Sequence, residues 1–63
     1  MTEIIETLEN IEEQLHEAAE DAVKFDQGNN SAGTRVRKAM QNIKGLAQQV
    51  RLEVQAQKNG VPA

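Results

Sequence analysis

Cysteine is absent from this chain, which excludes disulfides and thiolate metal sites and leaves the redox compartment open. Tryptophan and tyrosine are absent as well, and Phe25 is the one aromatic residue. That argues against aromatic stacking on single-stranded nucleic acid. No apolar run approaches the ~20 residues that span a bilayer. Met1 leads into Thr2 and Glu3 rather than into the basic start of a signal peptide, so a cytoplasmic protein is expected. The 63 residues allow one small domain. A chain so short rarely stabilises itself on its own core, and with disulfides excluded the expected remedy is self-association.

What is abundant is charge, and it is unevenly placed. The net charge of −3 is mild. Residues 1–31 hold nine carboxylates against Lys24, a net of −8. Residues 32–63 hold Arg35, Arg37, Lys38, Lys44, Arg51 and Lys58 against Glu53, a net of +5. The two halves are complementary.

Each half carries a seven-residue apolar repeat. In the first, Ile4, Leu8, Ile11, Leu15, Ala18, Ala22 and Phe25 recur at alternating steps of four and three, with Ile5, Ala19 and Val23 widening the stripe. In the second, Val36, Met40, Ile43, Ala47, Val50 and Val54 do the same, with Ala39 and Leu46 beside them. Thr2 is placed to cap the first helix, Gly28 to close it, and Asn29, Asn30 or Ser31 to cap the second. Asn59-Gly60 reads as a left-handed cap and Pro62 as a stop. The expected fold is all-α: helix one over about 3–26, a loop at 27–31, helix two over about 32–58 and a short tail at 59–63, forming one antiparallel, coiled-coil-like hairpin domain. One hairpin leaves half of each stripe wet. Two hairpins would bury both in a four-helix bundle, so a homodimer or higher even oligomer is expected. Its interface candidates are Ile4, Leu8, Ile11, Leu15 and Phe25 on helix one, and Val36, Met40, Ile43, Leu46, Val50 and Val54 on helix two.

The polar residues that follow the apolar positions of helix two are Arg37, Gln41, Lys44, Gln48, Arg51, Gln55 and Lys58, and every second one is basic. One reading is a ridge that tracks phosphates through charge and counterion release. The other is internal pairing across the hairpin, which places Arg37 near Asp21, Lys44 near Glu13 and Arg51 near Glu6 or Glu9. Exposed pairs of that kind contribute only ~0–1 kcal/mol each, yet they would mask the bases. The tip stands apart. Lys24, Arg35, Arg37 and Lys38 against Asp26 give residues 22–41 a net of +3, while the remainder carries −6. The N-terminus of helix two adds its dipole at the same end.

Other chemistry finds little support. Glu13-x-x-His16 matches a step of di-iron bundles, but helix two offers only Glu53 as a facing carboxylate, ~12 Å out of level. No metal or cofactor is expected. Ser31 is far from His16, no catalytic constellation appears, and "GNNSAG" lacks the strand and lysine of a phosphate loop, so no enzyme is expected. Helix one is acidic on its polar face, which disfavours anionic membranes.

Gly28-Asn29, Ala32-Gly33, Arg35-x-Arg37-Lys38, Ile43, Lys44, Leu46 and Arg51 lie within "GNNSAGTRVRKAMQNIKGLAQQVR", residues 28–51. This run resembles the bacterial linker-histone-like proteins of chlamydiae and Bacteroidetes, small helical proteins that bind DNA and compact the chromosome. Family members commonly carry a base where Asn30 stands, and many have a long Lys/Ala/Pro-rich tail where this sequence reads "KNGVPA". The resemblance implies a nucleoid-associated protein in which Arg35, Arg37 and Lys38, with Lys44 and Arg51, contact nucleic acid. Lys24 joins them as part of the basic tip. The expected function is therefore sequence-nonspecific DNA binding at that tip. The alternative is a non-enzymatic helical module whose bases serve the hairpin and whose acidic helix meets a basic protein partner.

Overall fold

The computed structural model describes residues 2–60, except for the side chain of Thr2. The expected cap at Thr2 and the expected stop at Pro62 lie outside the described residues. Helix α1 spans Thr2–Asp26 and helix α2 spans Asn30–Gly60. They pack against one another as an antiparallel hairpin measuring 54 × 15 × 10 Å. Among the described residues no helix is long and apolar enough to cross a membrane.

The reversal is shorter than the sequence suggests. Gly28 takes φ +102°, a left-handed conformation that costs glycine little. It lets Gly28 N–H donate to Phe25 O at 2.9 Å and Asn29 N–H to Lys24 O at 3.0 Å, the paired bonds of a Schellman stop. The next residue already starts α2. Asn29 Oδ1 accepts from the Ala32 N–H at 3.1 Å, so Asn29 is the cap, not Asn30 or Ser31. One residue thus finishes one helix and begins the other. At the far end α2 continues through Gly60, and Gly28 is the only glycine with positive φ. The expected left-handed cap at Asn59-Gly60 is therefore not formed.

The seam between the helices is rotated from the expected one. With Ile4 as heptad position a, α1 presents Ile4, Thr7, Ile11, Gln14, Ala18 and Asp21 to α2, all buried or partly buried. These are positions a and d. The expected stripe paired a with e, but Leu8, Leu15 and Ala22 stay exposed. In α2 the seam is Ala32, Val36, Ala39, Ile43, Leu46, Val50 and Glu53, again without Met40, Ala47 and Val54. Neighbouring residues stand 100° apart on a helix, so exchanging e for d turns each seam by about 50°. Of the interface candidates, Ile4, Ile11, Val36, Ile43, Leu46 and Val50 are thus spent within the hairpin. Leu8, Leu15, Phe25, Met40 and Val54 remain open to solvent.

Among the described residues the buried set is small: Ala18, Ala32 and Thr7. Thr7 Oγ1 donates to Glu3 O at 2.9 Å and stands 3.5 Å from Glu53 Oε1, which is how a hydroxyl is tolerated there. Near the tip Phe25 lies on Gly33. A Cβ at Gly33 would stand 2.6 Å from Phe25 Cδ1 and Cε1, so the ring's position requires glycine. Gly45 meets nothing within 4 Å.

These two helical glycines respond oppositely to the same change. Gly45→Ala gains helix propensity and is expected to raise stability by ~0.5–1 kcal/mol. Gly33→Ala is expected to lose that gain to displacement of Phe25, and to recover it in a Phe25→Ala background. Thermal unfolding followed by circular dichroism on the four chains of that cycle, with Gly45→Ala beside them, reads the coupling.

Candidate nucleic-acid interface

The fate of each base follows from the rotation of the seam. Arg35 falls beside the seam, on the flank that also carries Glu17. Its Nε and one terminal guanidinium nitrogen each stand 3.0 Å from Asp21 Oδ1. Asp21 is held largely out of solvent, while half of the Arg35 side chain remains exposed. This is the only salt bridge between the helices among the described residues. It takes Arg35 where internal pairing was expected to take Arg37.

Arg37, Lys44, Arg51 and Lys58 occupy heptad position b of α2, which the rotation turns away from α1. Lys38 lies on the other shoulder of the same outer face. None of these five, nor Lys24, has a carboxylate within 4 Å among the described residues. The expected pairing of Lys44 with Glu13, and of Arg51 with Glu6 or Glu9, is therefore not formed. Arg51 instead stands 3.5 Å from Gln48 Oε1 on its own helix. The seam that the hairpin adopts puts these bases too far around α2 to reach α1.

The outer face of α2 at the tip is a shallow groove lined by Thr34, Arg37, Lys38, Met40, Gln41 and Lys44. It carries three cations, a hydroxyl and an amide, with no carboxylate among its lining. Such a surface offers charge and hydrogen-bond donors to phosphate oxygens. Thr34 was not singled out by sequence reasoning. Its signal was available, since Thr34, Gln41 and Gln48 are seven residues apart and form the outermost line of α2. The first-turn N–H groups of α2 open toward the same tip, with the Ala32 N–H already taken by Asn29.

The six sequence-predicted bases therefore fall into four places. Arg37, Lys38 and Lys44 share the tip groove, and Lys24 stands at the end of α1 on the opposite flank. Arg51 lies farther down α2, and Arg35 is committed to Asp21. Elsewhere, His16 Nε2 stands 3.5 Å from Glu20 Oε2 on the solvent side of α1. No group of three or more histidine or carboxylate side chains placed to hold a metal occurs among the described residues.

Comparison with known proteins places most of the chain. Residues 5–60 match the family model described as "Histone H1-like protein Hc1". No curated protein and no solved structure matches the chain.

Arg35 and its neighbours separate in a stability measurement. Arg35→Ala leaves Asp21 without its partner and is expected to cost ~0.5–1 kcal/mol. Arg37→Ala, Lys38→Ala and Lys44→Ala are expected to stay within about 0.5 kcal/mol of the parent, as surface changes do. Urea unfolding of the four single variants checks both.

Proposed function

Since the chain belongs to the histone H1-like Hc1 family, we propose that it is a nucleoid protein that binds duplex DNA without sequence preference, through phosphate contacts at its basic tip. The observation that carries the proposal is that, among the described residues, Arg37, Lys38, Lys44 and Lys24 have no carboxylate within 4 Å, although the chain as a whole is acidic. Their charge is available to displace counterions from a polyanion. Arg35 acts by fixing the tip through Asp21, not by touching DNA. The hairpin works as a single non-enzymatic unit, without a cofactor, in the cytoplasmic nucleoid. Its copies pair as a homodimer in a four-helix bundle, covering the apolar side chains that the hairpin leaves open.

The outer face of α1 favours a second reading. Glu6, Glu9, Glu13 and Glu20 stand exposed there and suit a basic protein partner. A family of DNA-packaging proteins makes DNA the first choice.

Titration of a short random-sequence duplex at several salt concentrations distinguishes the two. Binding is expected to weaken with salt, each neutralised phosphate adding roughly 0.9 to the log–log slope. Arg37→Ala/Lys38→Ala is expected to shallow that slope by about 2 at unchanged helicity, and Arg51→Ala/Lys58→Ala to shallow it far less. No binding at low salt would leave the protein-partner reading standing.

A further inference from the structure

We infer that two copies of the hairpin pair through the open side lined by Leu8, Leu15, Met40 and Val54, with their basic tips at the same end. The inference rests on the self-association proposed above and is independent of DNA. These side chains are 46, 48, 42 and 40% exposed, respectively. All four sit at heptad position e of their helix. In an antiparallel hairpin the e positions of both helices fall on the same side. The groove at the tip, which Ala22, Phe25, Gly33, Val36 and Arg37 line together, marks that side. With Ala22 and Ala47 between the larger residues, the strip is continuous along the hairpin.

A second copy is the occupant that fits. Among the described residues the hairpin alone buries no apolar side chain larger than alanine, so its helices need packing they do not supply to each other. The edges of the strip are also self-complementary. Along α2 the edge is Arg37, Lys44 and Arg51; along α1 it is Ile5, Glu12 and Ala19.

The two-fold axis of such a pair runs either across the helices or parallel to them. An axis across them lays α2 on α2, so that Arg37, Lys44 and Arg51 of one copy confront the same row of the other. Like charges along the whole edge oppose that pairing. An axis parallel to the helices lays α1 of each copy on α2 of the other. Rotation about that axis leaves every residue at its own height. The heights are set by Asp21 beside Arg35, Phe25 beside Gly33 and Thr7 beside Glu53. On that scale Lys44 of one copy comes close to the level of Glu12 of the other. The stems of Arg37 and Arg51 come to cover Ala19 and Ile5. The interface is isologous, and it sets two Arg37–Lys38 tips side by side as one patch.

The experiment uses the lack of native cysteine. Gln27→Cys, exposed at the tip, carries one nitroxide per chain for pulsed electron–electron distance measurement. Same-end pairing is expected to give less than ~30 Å, the spacing of packed helix layers at ~10 Å plus the label arms. A distance of ~40 Å or more, the length of the helices at ~1.5 Å per residue, overturns the orientation while leaving self-association intact. Sedimentation equilibrium of the same protein, without DNA, reports whether copies pair, and a monomer overturns the inference outright. The face is tested by Leu15→Glu, expected to weaken the dimer at least ~tenfold. Leu52→Glu is expected to leave it unchanged, although Leu52 is more exposed at 60%. Equal effects of the two would overturn the assignment of the face, and the label distance does not depend on either variant folding.

Discussion

The three-residue reversal at the tip governs this structure. Because Asn29 ends the hydrogen-bonding of α1 and caps α2, no slack remains between the helices. Their rotation about their own axes is therefore set at the turn, and the side chains below must accept it. That is why Thr7, Gln14 and Asp21 face α2 while Leu8 and Leu15, better suited to a core by hydrophobicity alone, face outward. The misfit is modest, since Thr7 satisfies its hydroxyl and Asp21 its carboxylate. Its result is a hairpin whose most apolar side is open.

The same rotation separates the charges. A seam through positions a and e would have left the basic row of α2 at the edge of the seam, facing the α1 edge that carries Glu12 and Asp26. A seam through a and d turns Arg37, Lys44 and Arg51 outward and leaves Arg35 alone within reach of a carboxylate. An acidic chain thereby keeps uncompensated cations at one place. Local geometry, rather than net charge, decides what the surface offers a polyanion.

Much of the fold was legible in the sequence, because long helices announce themselves by spacing and Gly28 marks a stop. The choice between d and e was not. In α2 the pairs Ala39-Met40 and Leu46-Ala47 place apolar residues at both positions, so periodicity does not choose. In α1 the pairs Thr7-Leu8 and Gln14-Leu15 do choose, and they choose the face that the turn overrules. The shift of the salt bridge from Arg37 to Arg35 is the same error seen from outside the seam. Gly33 and Phe25 could be read as motif and stripe, but their contact depends on a turn whose length spacing does not give. The basic tip was legible as composition. Which of its bases are free required the rotation.

The sharing of Asn29 between two helices also bears on how the hairpin forms and opens. Closing a very short loop restricts little chain, so the first contacts between the helices form most cheaply beside the turn. Ala18 and Ala32, the best-covered apolar residues, lie toward that end. From there the seam closes like a zip, each heptad bringing the next into reach. Opening is expected to start from the other end, with amide protection rising toward residue 29. The end that carries the free cations is thus the end that stays folded longest.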